Sequence, residues 1–200
     1  MQRNTEIKVM LAVMLTATVF LAVGLYTELR AKPLTCAPTQ LVETIIRNER
    51  PQMGDLERRF WLHAITKAAA EAGAPPVIFA SQVAQESRFK GHVVSHKGAK
   101  GASQIMDVWL KEHKGVDLME IEANLSLGAK ILTQYISECG GIEGGLRCYA
   151  AGPKNQSGAQ WYADRVLARV SLAATGACAV PGTAPALPSV GRKEAEVTKL

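Results

Sequence analysis

The 200-residue sequence has no C-x-x-C motif, and its four histidines, His63, His92, His96 and His113, show no ligand spacing with its four cysteines. A metal site is therefore not expected. The basic residues are scattered rather than gathered in a stripe, and the net charge of +5 is modest, so nucleic acid is not an expected partner. A basic balance of this size is at most an aid to staying near an anionic polymer or membrane surface. Internal repeats are lacking, and strand signals are weak.

What is present divides into segments. Residues 9–26 form an uncharged, mostly apolar run preceded by Arg3 and Lys8, just long enough to span a bilayer. Leu29-Arg30-Ala31 is a poor cleavage site, and Leu34-Thr35-Cys36 is separated from the run by Pro33 and polar residues, so an uncleaved signal anchor is expected. Arg3 and Lys8 before the run are balanced by Arg30 and Lys32 after it, which leaves its orientation open. Residues 1–8 then form a short N-terminus, 27–52 a linker and first helix, and 53–178 one ordinary domain. Residues 179–200, Ala/Pro/Gly-rich and then charged, read as a flexible tail.

Helical patterns recur over residues 56–72, 77–87, 103–113, 121–138, 144–150 and 159–173, which predicts a mainly α domain with a cleft between helical lobes. Leu125, Gly128, Leu132 and Ile136 share one stripe, where Gly128 permits a close helix contact. Four cysteines allow three pairings. Cys139 and Cys148 bracket the Gly-rich turn before Tyr149, so a bridge between them would brace that tyrosine, and Cys36 with Cys178 would tie the ends of the domain together. An oxidising compartment makes both plausible.

Phe79, Gln82 and Val83 precede Glu86 by seven, four and three residues and share its helical face. Glu86 therefore projects from a largely apolar face. A carboxyl that loses hydration when ionised has a raised pKa and can donate a proton at neutral pH. Alternatively, Glu86 ends its helix and pairs with Arg88 or a nearby lysine. The loop Gly98-Ala99-Lys100-Gly101 favours the chemical reading, because glycines let backbone approach a ligand closely.

Glu86-Ser87-Arg88-Phe89, then Ser95, Gly98, Ala99, Gly101, Gln104 and Ile105, and later Tyr149-Ala150-Ala151-Gly152, resemble in order and spacing the lytic transglycosylases of the lysozyme-like superfamily. Asn124 and Gly128 match that family's N-x-x-x-G segment. Two departures stand out: Ala102-Ser103 where the family usually has two bulky apolar residues, and Ala150 where it usually has Asn. Both bear on substrate preference more than on reaction class.

The resemblance implies a lysozyme-like catalytic domain acting on peptidoglycan. Glu86 would be the catalytic residue, with Ser87, Ser95, Gly98, Ala99, Gly101, Gln104 and Tyr149 around the substrate. It implies cleavage of the MurNAc–GlcNAc bond without water and without a cofactor. One glutamate serves first as acid and then as base, the substrate's N-acetyl group supports the anomeric carbon, and the muramic C6 hydroxyl closes a 1,6-anhydro ring. The sequence offers no obvious second carboxylate: Asp107, Glu112 and Asp117 follow the loop with nothing to bring them into the cleft. Substrate assistance is a recognised exception to the two-carboxylate rule. His92 and His96, in the loop after Glu86, are candidates to face substrate.

A peptidoglycan substrate would put the domain in the periplasm, held at the inner membrane by residues 9–26. Secretion or lysis machinery are possible partners. The alternatives are a hydrolytic muramidase and a non-catalytic wall-binding assembly protein. The biological role is open between wall remodelling and phage lysis, since Ala12, Thr16, Ala17, Thr18, Ala22 and Gly24 weaken the anchor's hydrophobicity.

Overall fold

The computed structural model describes residues 36–177. The expected anchor at 9–26, the segments around it, Cys178 and the tail lie outside the described residues. Among the described residues no helix is long and apolar enough to cross a membrane.

Among the described residues six α-helices form, and the named elements include no strand. Helix α1 (Pro38–Glu49) starts with proline near its first turn, where the missing N–H costs nothing, and buries Val42, Ile45 and Ile46. Helix α2 (Asp55–Ala72) carries Asp55 and Glu57 in its first turn, which complements the positive end of the helix dipole. Gly73, at φ 68°, ends it. Its inward stripe of Trp61, Ala64, Ile65, Ala68 and Ala69 has helical spacing, and the small residues admit neighbours closely.

Helix α3 (Pro76–Ser87) is buried continuously from Ile78 to Ala84. It is the central helix of the core, flanked by α1, α2 and the last helix. It ends abruptly: Arg88 and Phe89 have φ of 53° and 55°, the left-handed region that side chains normally avoid. The Phe89 ring is fully buried and meets Trp61 edge-on at 5.7 Å. Arg50 donates to the Phe89 carbonyl at 3.1 Å. Burying a phenylalanine is worth about 1.5–3 kcal/mol, enough to offset a strained backbone pair of about 1–3 kcal/mol per residue only with these added contacts.

Helix α4 (Ile121–Glu138) is capped by Glu120, whose carboxylate accepts from the backbone N–H groups of Glu122 and Ala123. Helix α5 (Ile142–Ala151) follows across a tight corner, and a 3₁₀ segment (Pro153–Ala159) leads into α6 (Gln160–Ala177). The expected helix over 103–113 does not form. Gln104 has φ 49°, the Ser103 N–H is taken by Asn124, and only a 3₁₀ turn forms at Asp107–Lys111. Lys100 instead forms antiparallel bridges with both Val94 and Ile105, folding residues 94–105 into a compact loop.

The apolar core has two parts. The larger includes Phe79, Val83, Phe89, Leu125 and Val166, and the smaller consists of Ile105, Leu118, Leu127 and Ile131. Tyr149 packs against both, at the seam between them.

Candidate active site

Glu86 lies in the last turn of α3, one residue before the helix ends. Its side chain is partly buried. Loss of hydration pushes its carboxyl from the ordinary 4.5 up to about 7, and a hydrogen bond from Tyr162 pulls the other way. Tyr162, in α6, donates its phenolic hydrogen to Glu86 Oε1. Arg88 pairs with Glu49 at 3.4 Å, so the expected alternative of a Glu86–Arg88 pair is replaced by a Glu86–Tyr162 pair. A second brace holds the adjoining turn: Arg169 Nη1 donates to Gln85 Oε1 at 2.7 Å and its Nε to Glu49 at 3.1 Å. A carboxyl poised near neutrality can both give and retake a proton.

The loop is held from within. The Ser95 hydroxyl accepts from the Ala99 N–H at 3.0 Å, and Ser95 and Ala99 are also joined through backbone. Gly98 and Gly101 have φ of 85° and 73°. A Cβ on Gly101 would overlap the Asn124 amide and the Leu118 carbonyl. Gln104 Nε2 donates to the carbonyls of Val93 and Gly101 at 3.2 and 2.9 Å.

Asn124 fastens this loop to α4. It is fully buried, accepts from Ser103 N at 2.7 Å, and donates to the carbonyls of Lys100 and Leu118, both at 2.9 Å. Gly128, one turn on, makes room first for the loop, since an added Cβ would overlap the Ser103 side chain, and the Phe79 ring of α3 lies just beyond at 3.6 Å. The family-type N-x-x-x-G segment thus serves the loop.

Tyr149, in α5, donates to the Ser103 carbonyl at 2.9 Å. Burial first, and then the nearby charge of Glu86, hold its phenol well above the ordinary range, and the same two causes act on Tyr162. Both phenols stay protonated at neutral pH. A groove of about 280 Å³ runs past Tyr149, its wall including Gln104, Met106, Trp109, Tyr135 and Ala150. Trp109, Tyr135 and Tyr149 form a chain of edge-on rings at 5.7 and 6.4 Å. A separate hollow of about 390 Å³, lined by Glu43, Arg47, Arg58 and Arg59 among others, includes none of these groups.

The family model described as Transglycosylase SLT domain matches residues 63–168, which span Glu86, the loop, Asn124, Tyr149 and Tyr162. The chain belongs to this family. Membership carries lytic transglycosylase activity on peptidoglycan in general. No curated protein matches the chain.

In this transglycosylase, Glu86 and Tyr149 come close enough for the charge of one to act on the other, and Gln104 and Tyr149 share the groove. Ser95, Gly98, Ala99 and Gly101 shape the loop. Ser87 is buried, and its hydroxyl donates to Val83 in its own helix at 3.2 Å. His92 and His96 are exposed. Asp107 is tied to Lys100 at 2.8 Å, Asp117 accepts from the Met119 N–H, and Glu112 is exposed. Among the described residues no group of three His, Cys, Asp or Glu is placed to hold a metal. Cys139 and Cys148 are bridged, joining the end of α4 to α5 next to Tyr149. The expected partner of Cys36, Cys178, lies outside the described residues.

Neither the role of Tyr162 nor the loop-holding role of Asn124 is evident from the sequence. The only local sign of Tyr162 is an aromatic pair, Trp161-Tyr162, inside a helical pattern.

Proposed function

We propose that Glu86 is the acid and then the base of a non-hydrolytic cleavage of the MurNAc–GlcNAc bond that leaves 1,6-anhydro-MurNAc. The observation that carries this reading is a carboxyl raised to about 7 beside a donor phenol. The protonated Glu86 gives its proton to the glycosidic oxygen as the bond breaks. The resulting carboxylate, stabilised by the Tyr162 hydroxyl, then takes the proton of the muramic C6 hydroxyl as that oxygen closes on the anomeric carbon. Glu86 ends as it began, and no water is consumed.

The three carboxylates that follow the loop support this route over hydrolysis, because none of Asp107, Glu112 and Asp117 lines the groove beside Tyr149. A two-carboxylate mechanism needs a partner within about 5–9.5 Å across the scissile bond. The groove beside Tyr149, with its aromatic chain, is the proposed seat of the sugar, and Ser87, Ser95, Gly98, Ala99, Gly101 and Gln104 are assigned to its margin.

The chain is further proposed to sit in the inner membrane through residues 9–26 with its catalytic domain in the periplasm. The peptidoglycan substrate and the Cys139–Cys148 disulfide support this placement. Its role there is wall remodelling, with or without a secretion apparatus, or phage lysis. Retention in the membrane after depolarisation supports the first, and release of intact protein the second.

Mass spectrometry of peptidoglycan digested by the wild type and by Glu86→Gln tests the chemistry. Anhydro-muropeptides from the wild type alone are expected. Reducing-end muramic acid means a hydrolase, and no product from either means a binding role.

A further inference from the structure

One buried polar side chain near Glu86 lacks a well-formed hydrogen bond. Gln82 lies one helical turn before Glu86 on the same face of α3, is 0% exposed, and neither end of its amide closes a hydrogen bond. A buried primary amide can make four hydrogen bonds, and a native protein seldom leaves one unpaired without a use for it. The amide nonetheless acts on the Tyr149 phenol as a hydrogen-bonding neighbour that eases its ionisation, while the phenol's own proton is directed at the Ser103 carbonyl.

We propose that Gln82 is a positioning residue for Tyr149: its amide takes up the Tyr149 hydroxyl when substrate draws that hydroxyl away from the Ser103 carbonyl. The phenol is then held from α3, the helix that carries Glu86, so sugar-facing phenol and proton donor keep one geometry. At rest the contact with Tyr149 is loose, and it closes into a full hydrogen bond in the working state. An apolar residue would suit the resting core better, flanked as this position is by Phe79 and Val83, both fully buried. This inference rests on the proposed assignment of Glu86 and Tyr149 to glycan cleavage.

The test combines Gln82→Met, and Gln82→Leu as a second apolar replacement, with Tyr149→Phe in the full-length protein. The ring carbon bearing each tyrosine hydroxyl is labelled with carbon-13, and Tyr149→Phe assigns the Tyr149 signal. The apolar variants are expected to melt no lower than wild type, to shift the Tyr149 signal, and to lose about tenfold in kcat at unchanged KM, the size of one hydrogen bond made only in the working state. In a Tyr149→Phe background they should cause no further loss.

An unmoved Tyr149 signal would overturn the contact. A moved signal with wild-type kcat, or losses that simply add to those of Tyr149→Phe, would overturn the positioning role. A wild type that releases no muropeptide refutes the cleavage reading instead, and the tyrosine signal still decides whether Gln82 meets Tyr149.

Discussion

Tyr162 donates its phenolic hydrogen to Glu86 across 76 residues of sequence, joining α6 to the end of α3. This bond favours the ionised carboxylate, while burial favours the neutral acid and prevails. The balance leaves Glu86 near the pH at which it must work.

Activity should therefore fall as pH rises through about 7, because the first step needs the protonated acid. Tyr162→Phe removes the influence that lowers the Glu86 pKa. Its activity limb should move about one pH unit to the alkaline side, with kcat reduced at every pH. Rates of muropeptide release between pH 5 and 9 check this. An unmoved limb would mean that Tyr162 does not govern the proton on Glu86.

Glu86→Gln should abolish cleavage while making the fold more stable at high pH. Folded Glu86 has its pKa raised from 4.5 to about 7, so the native state holds its proton more tightly than the unfolded chain. Stability is fully retained below 4.5 and is lost as pH rises through about 7. The variant escapes a penalty of up to about 3 kcal/mol above that pH. Urea unfolding at pH 4.5 and pH 8 should show the variant's advantage only at the higher value.

Gly101→Ala should cost about 2–4 kcal/mol, because it combines a positive φ with a Cβ that overlaps Asn124 and Leu118. Asn124→Ala should cost a similar amount by leaving the Ser103 N–H and the Leu118 carbonyl without a partner and the Lys100 carbonyl with only its bond from the Ile105 N–H. Denaturant midpoints measure both. Gly98→Ala meets no atom within 4 Å and should pay only the backbone penalty, about 1–2 kcal/mol.

The Cys139–Cys148 bridge closes a short loop, with a sequence separation of 9, and its loss should cost about 2–3 kcal/mol. Replacing both cysteines by alanine should lower the melting temperature and reduce kcat, because the bridge anchors α5 immediately before Tyr149. Thermal melts and muropeptide release for the double variant decide it. Undiminished activity would confine the bridge to stability.

The helices at 56–72, 77–87, 121–138, 144–150 and 159–173 were legible because their signals are local: apolar spacing, a proline near the first turn of α3, glycine after α2. Each agrees with an observed helix within a few residues, or four at the C-terminus of α6. The apolar face around Glu86 and the glycines of the loop were legible for the same reason. The expected helix at 103–113 failed because apolar periodicity carries no information about Asn124, which takes the Ser103 N–H from 21 residues away.

Sequence alone determined the helices, the family-type motif and an acid on a buried face, since these depend on neighbours within a turn or a loop. Tertiary structure decided which phenol meets that acid, what Gly128 makes room for, and that Gln82 is buried beside Tyr149 without a well-formed hydrogen bond. Those outcomes depend on how α4, α5 and α6 pack around α3 and the loop. A side chain's hydrogen-bond partner is chosen by that packing, not by its distance along the chain.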